Sequence, residues 1–211
     1  MNALAWRYYD IAQSSYDLFL ETRENPILFP ENGDPTEHFE REKRLLHTAF
    51  QTIVFSAMAC EAAIYDLAAI QLGDDYATKY LDKLDVVAKW VVVPSLVCGN
   101  ALQPNGPAIN SLRTLTRARN ALVHHKSRPG LPVGASIQCA DEQLERIIQN
   151  TDTAFQAVVL LSLELNRTLK TPAGVLPFFE AGVKSLSESQ RSSRISGVIH
   201  RCREIEARNT P

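Results

Sequence analysis

Apolar residues recur along most of the chain at the three- and four-residue spacing of amphipathic helices, whereas the alternating pattern of β-strands is nearly missing. The clearest example is the segment 141–170, which places most of its apolar side chains on one helical face. The pattern predicts helices over 3–23, 36–72, 74–81, 86–97, 107–128 and 141–170, and a C-terminal helix over 185–208. The predicted fold class is therefore all-α.

Capping and turn residues predict where these helices begin and end. Asp34-Pro35-Thr36-Glu37 combines an N-cap residue, a proline at the first helical position and a capping-box glutamate. Gly73 marks the end of the helix that follows. Ser185 and Glu188 have the spacing of a capping box and mark the start of the last helix. Residues 131–138 hold no helical pattern and are predicted to form a loop.

The arrangement of these helices favours an up-and-down bundle. Three long helices and several short ones are joined by modest loops, as in bundles whose neighbouring helices run antiparallel. The 211 residues, 45% of them hydrophobic, are enough for one sizeable core. We therefore expect a single domain over 1–211, with its core over about 36–170 and flanking helices over 1–25 and 185–208.

The chain shows none of the common motifs that bind nucleotides or metal ions. Its four cysteines lie far apart, so the spacing of zinc ligands is absent and free thiols in a reducing cytoplasm are expected. Neither a glycine-rich dinucleotide motif nor a phosphate-binding loop is present. We predict no metal, no cofactor and a cytoplasmic location.

Charge and hydropathy limit the kinds of partner. The formal net charge of −2 argues against a protein that coats nucleic acid by charge alone, although it allows a local basic patch. The most apolar run, 157–163, is ended by Glu164 and is too short to cross a bilayer. No association with a membrane is predicted.

The segment 112–126 combines charged and apolar residues in an unusual way. At about 100° per residue, Arg119 falls in the middle of an apolar stripe on the predicted helix. The stripe consists of Leu112, Leu115, Leu122 and Val123. Asn120 and His124 stand one turn apart on its flank, with Arg117 near them. An arginine on an apolar face predicts a partner, because its charge is costly to bury alone.

The preceding long helix offers a matching acidic residue. Glu61 sits in a stripe with Val54, Met58 and Tyr65. A buried or half-buried ion pair between Glu61 and Arg119 would satisfy both charges. We take this pair as a hypothesis that the positions of the two side chains can test.

These residues carry a resemblance to a known family. The run Arg119-Asn120-Ala121-Leu122-Val123-His124 resembles the R-x4-6-H signature of HEPN domains, in the form where a polar residue follows the arginine. Glu61 within 58–63 and the stretch Lys89-Trp90 to Gly99 are also similar to segments of that family. The resemblance covers about 39–127, and Trp90 is expected to pack at a helix seam.

The resemblance implies a helical bundle that dimerises with its signature helices facing each other. It also implies a metal-independent endoribonuclease that acts in defence, toxin–antitoxin or stress response, with RNA and an antitoxin or other protein as partners. Arg119, His124 and Asn120 would then be catalytic, and Glu61 would support them. Histidine exchanges protons near neutral pH, and arginine offers a fixed set of donors to phosphate oxygens. Arg117 and Lys126 are candidates for binding RNA.

Several alternatives stay open at the level of sequence. Arg117 with His124, or Arg119 with His125, also has the required spacing. A HEPN module without activity would bind nucleic acid, a nucleotide or a protein partner. In a plain helical scaffold, the basic residues would only complement the dipole and free carbonyls of a helix end.

Overall fold

The computed structural model describes residues 4–30, 33–123, 133–182 and 191–209, and for 133–140 it describes the backbone alone. Seven α-helices occur within these ranges, and no strand does. They are α1 (Leu4–Glu24), α2 (Thr36–Leu72), α3 (Asp74–Tyr76), α4 (Val86–Cys98), α5 (Pro107–Val123), α6 (Val133–Leu169) and α7 (Ser193–Arg208). A π-helical turn, Ala77–Leu81, continues α3. The prediction of an all-α helical bundle is confirmed.

The ends of α2 form where the sequence places capping residues. The Asp34 carboxylate accepts hydrogen bonds from the backbone N–H of Thr36 at 2.9 Å and from the Thr36 hydroxyl, which hold the pKa of Asp34 below its usual value. Helix α2 begins at Thr36 as predicted, and Pro35 occupies the N-cap position instead of the first helical position. Gly73 follows the last residue with a φ of 95°, a value that favours glycine.

Helix α1 belongs to the aromatic centre of the bundle. Tyr9, Tyr16 and Phe19 of α1 are fully buried. The ring of Tyr16 stacks on Phe155 of α6 with centroids 4.6 Å apart, and the edge of Tyr9 contacts Phe179 at 5.6 Å. The same core includes Ile195, Val198, Ile199 and Cys202 of α7. The two helices expected to flank the core therefore supply part of it.

Helix α6 starts earlier than predicted. The expected loop over 131–138 is wrong from Val133 onward, because α6 already begins there. Its first turns contain the good helix formers Ala135, Gln138 and Ala140. Gly134 opposes helix formation by only about 1 kcal/mol. The other residues of 133–140 are average or poor helix formers, so propensity alone does not explain why α6 starts at Val133.

An irregular segment leads from α6 to α7. Residues 172–182 bury Val175, Leu176 and Phe179 without forming a helix. The Ser162 hydroxyl donates to the Pro177 carbonyl at 2.7 Å, which holds the segment against α6. Helix α7 begins at Ser193. The predicted capping residues Ser185 and Glu188 lie outside the described residues.

Helix α2 is the most membrane-like helix in the described ranges. It contains an 18-residue window with a mean hydropathy of 1.7, so its length and composition alone would allow it to cross a membrane. Core helices of soluble proteins pass the same test, and 44% of this window is buried within the bundle. This is weak evidence for a membrane span.

Candidate functional site

Helix α5 carries the described part of the predicted signature and has two distinct faces. Its inner face consists of the buried residues Ala108, Ile109, Leu112, Leu115 and Ala118. Its outer face exposes Asn110, Arg117, Asn120 and Ala121, with Arg113 half-buried beside them. The amphipathic pattern of the sequence therefore orients this helix, and Arg117 and Asn120 point away from the core.

Arg119 lies at the boundary between the two faces. Its side chain is half-buried, and its Nη1 donates to the Asn120 Oδ1 at 3.1 Å. Val123 is 53% exposed, so the predicted apolar stripe does not continue into the core at the end of the helix. Because Arg119 reaches the surface, its charge does not require a buried carboxylate.

The predicted ion pair between Glu61 and Arg119 is not present. Glu61 is exposed, and within the described ranges no ion pair joins its carboxylate to Arg119. The buried face of α2 at this level consists of Ala59, Cys60, Ala63 and Ile64. Val54, Met58 and Tyr65, which share the stripe with Glu61, are only half-buried. The stripe thus lies at the edge of the core, where a carboxylate remains solvated.

Three arginines on α5 form no ion pair with any carboxylate that the structure describes. Helix α5 contains Arg113, Arg117 and Arg119 but no aspartate or glutamate. Arg113 Nη1 donates to the neutral Asn110 Oδ1 at 2.9 Å. No ion pair between these arginines and any acidic residue occurs in the described part of the chain. We call Arg113, Arg117, Arg119, Asn110 and Asn120 the basic face of α5.

Several arginines on other helices are paired with carboxylates, although the exposed Arg201 and Arg208 of α7 also form no ion pair within the described ranges. Arg23 reaches the Asp152 carboxylate at 2.8 Å, and Arg167 reaches Glu206 at 2.8 Å. Arg194 contacts Asp17 at 3.1 Å. In a chain of net charge −2, α5 is therefore a local concentration of positive charge that no ion pair offsets in the described part of the chain. Arg113 was not among the predicted site residues, although the lack of acidic residues in 107–123 was visible in the sequence.

Of the other residues that the sequence singles out, some lie outside the described ranges and others are buried. His124, Lys126 and the alternative His125 lie outside the described residues. Trp90 is fully buried, and its Nε1 donates to the Cys60 carbonyl of α2 at 3.1 Å, which confirms that it packs at a helix seam. Lys89 beside it is also buried, with its Nζ 3.8 Å from Asp82.

The described side chains show no group of three or more histidine, cysteine, aspartate or glutamate residues that could hold a metal ion. Comparison with models of known protein families, with curated proteins and with solved structures finds no match. A proposal for the function therefore rests on the residues of the basic face and not on similarity to a known protein.

Proposed function

We propose that the chain is a metal-independent endoribonuclease of the HEPN type that acts as a homodimer. The observation that carries this proposal is the basic face of α5, where three arginines have no carboxylate partner in the described part of the chain. Phosphate groups of RNA would supply the missing negative charge. Arginine suits this task because its planar donors match two phosphate oxygens at once.

The proposed reaction is attack by a ribose 2′-hydroxyl on the neighbouring phosphate. Neutral His124 accepts the hydroxyl proton, the 2′-oxygen bonds to phosphorus, and the bond from phosphorus to the 5′-oxygen breaks. The leaving oxygen takes a proton from water, and the hydroxide that remains is neutralised when His124 releases its proton to solvent. The products are a 2′,3′-cyclic phosphate and a 5′-hydroxyl. Arg119 donates to the non-bridging oxygens, where negative charge increases in the transition state.

Asn120 has a positioning role in this proposal. Its Oδ1 accepts from Arg119 Nη1 at 3.1 Å, which limits the orientations of the guanidinium group. Its exposed amide N–H groups remain available to donate to phosphate. Arg113 and Arg117 lie further back on the same helix, so they would bind neighbouring phosphates and fix the position of the RNA strand.

The end of α5 also suits a contact between two copies of the chain. Ala121 and Val123 are exposed beside Asn120, and 53% of Val123 is accessible in the single chain. A second α5 facing the first would cover these apolar side chains and bring two basic faces together around one RNA strand. The cellular role would be defence, toxin–antitoxin or stress response, with an antitoxin as a partner in the cytoplasm.

Cleavage of labelled RNA in EDTA tests the proposal. We expect 2′,3′-cyclic phosphate ends with the wild type and none with the Arg119→Ala, His124→Ala double variant. Arg146→Ala is the control, because Arg146 is an exposed arginine on α6 whose charge is already paired with Glu142. Cleavage that survives in the double variant would refute these site residues.

A second outcome would favour the inactive binding module. In that case the wild type binds RNA without cleaving it, and Arg113→Ala or Arg117→Ala weakens binding whereas Arg146→Ala does not. Neither binding nor cleavage by a folded protein would refute both the ribonuclease and the RNA-binding module.

A further inference from the structure

The segment that joins α1 to α2 and the first turn of α2 together present three strongly exposed apolar side chains. Leu28 is 85% exposed, Phe29 58% and Phe39 57%. The rings of Phe29 and Phe39 lie 6.0 Å apart, and both contact His38 edge to face. The Nδ1 atom of His38 lies 2.8 Å from the Ile27 carbonyl, which holds the loop against the start of α2. We call Leu28, Phe29 and Phe39 the aromatic patch.

A groove of about 440 Å³ lies next to this patch, between the end of α1 and the start of α2. Its apolar lining includes Leu18, Pro26 and Ile27. Leu18 is itself 40% exposed, so part of the apolar lining of the groove is accessible to a partner. Contiguous exposed apolar surface with a polar rim is typical of protein–protein contact sites.

The charges along this groove are mostly negative. They are Glu21, Glu24, Glu37, Glu40, Arg41 and Arg44, with a net formal charge of −2. Arg41 already donates to the backbone carbonyls of Asn25 and Thr22 at 3.0 and 2.9 Å. Glu21 and Glu24 contact Arg194 at 3.3 and 3.8 Å, and Glu40 contacts Lys43 at 3.5 Å. Within the described ranges, Glu37 forms no ion pair.

We propose that the aromatic patch and the groove form a docking site for a short segment of another protein, with apolar anchor residues flanked by lysine or arginine. The apolar anchors would cover Phe29, Phe39 and Leu18, and the basic residues would face the glutamates. RNA is a poor occupant because the acidic lining repels phosphate. This site is on different residues from the basic face of α5, so it does not depend on the ribonuclease proposal.

A phage-displayed library of random peptides provides the probe. The full-length protein is immobilised, and bound phage are selected and sequenced. We expect enriched peptides to share apolar residues next to lysine or arginine. A selected peptide, labelled with a fluorophore, is then titrated with the wild type and with variants. The Phe29→Ser, Phe39→Ser variant should bind it about tenfold more weakly or worse, because buried aromatic anchors dominate such contacts.

Two further variants make the test specific. Ile70→Ser is the matched control, because Ile70 is a similarly exposed apolar residue of α2, 54% accessible and outside the patch. It should bind the peptide as the wild type does. The Glu37→Lys, Glu40→Lys variant keeps the aromatic patch and should lose affinity for basic peptides while selecting acidic ones. This second variant separates recognition from any loss of folding, which circular dichroism monitors in each case.

Three results would contradict the proposed docking site, each in a different way. If no peptide is enriched, or if enriched peptides lack basic residues, the proposed partner chemistry is wrong. If peptide binding changes neither in the Phe29→Ser, Phe39→Ser variant nor in the Glu37→Lys, Glu40→Lys variant, the peptides bind elsewhere and the site is refuted. If sedimentation shows a dimer that Phe29→Ser, Phe39→Ser dissociates, a second copy of the chain is the occupant, which overturns the proposal.

Discussion

Replacing Arg117 by alanine should change the salt dependence of RNA binding without changing the fold. Arg117 is exposed on α5, and no carboxylate in the described part of the chain pairs with it. Its removal therefore leaves no unpaired buried charge, and the free energy of unfolding should shift by less than about 0.5 kcal/mol. The substitution then isolates the contact between this guanidinium and a phosphate.

The size of the effect follows from the number of arginines on the basic face. Log affinity falls as log salt concentration rises, and each phosphate that a protein neutralises on a single strand makes this negative slope steeper by about 0.7. In the proposed dimer, two copies of α5 supply six arginines, which predict a slope of about −4.2, so a fourfold increase in salt weakens binding about 340-fold. Arg117→Ala removes one arginine from each copy, so the slope becomes about −2.8 and the same increase weakens binding only about 50-fold.

Fluorescence anisotropy of a labelled single strand measures this slope. A 2′-O-methyl RNA is suitable because it has no free 2′-hydroxyl and cannot be cleaved during the titration. Arg146→Ala serves as the control, since it removes an equal charge from the outer surface of α6. An unchanged slope with Arg117→Ala would refute a phosphate contact at this position. An equal change with Arg146→Ala would show that the effect depends on net charge alone.

Other predictions concern the stability of the bundle and the reactivity of its thiols. Burial raises the pKa of Glu164, and the neighbouring Glu206 carboxylate raises it further. Native Glu164 thus keeps its proton above the ordinary glutamate pKa of 4.5, and its contribution to stability is lost as pH rises through the raised native pKa. Glu164→Gln cannot ionise at this position, so its free energy of unfolding should fall less than that of the wild type as pH rises from 4.5 through the raised native pKa, as measured by urea titrations. An identical fall in the two proteins would contradict the raised pKa of Glu164. Phe155→Ala should lose about 3–5 kcal/mol in urea unfolding, because a fully buried ring that stacks on α1 is removed, and a loss below about 1 kcal/mol would refute its core position. In the native protein Cys98, which is half-buried, should react with iodoacetamide before Cys202, because burial raises the pKa of Cys202 to about 12; peptide mapping by mass spectrometry that finds the reverse order would count against this burial.

The sequence predicts those parts of the fold that depend on local chemistry. Gly73 follows the last residue of α2, and Gly99 follows α4 with a φ of 77°. Both glycines lie within two residues of the helix ends that the hydropathy pattern predicts. Residues 172–182 are different, because Val175, Leu176 and Phe179 are buried through contacts with distant helices and follow no helical period. Periodicity reports how a helix or strand faces a core, and it carries no information about an irregular segment that enters one.

The candidate site shows a related limit. A helical wheel places Asn120 on the flank of the apolar stripe with Arg117 near it, and both residues are exposed in the structure, because an angle about the helix axis follows from sequence alone. The wheel does not reveal which neighbouring element, if any, lies over a boundary position such as Arg119. The pairing of Arg119 with Glu61 assumed that both side chains enter the core, whereas Glu61 is exposed and Arg119 contacts Asn120.

The charge of the basic face combines a local and a long-range property. That α5 contains three arginines and no acidic residue is visible in 107–123. Whether those arginines are free depends on carboxylates from elsewhere in the chain, as Arg23 of α1 shows by pairing with Asp152 of α6 across 129 positions of sequence. An arginine without a carboxylate partner can bind phosphate without first breaking an ion pair within the fold. Substitutions on the basic face should therefore alter RNA binding before they alter the stability of the fold.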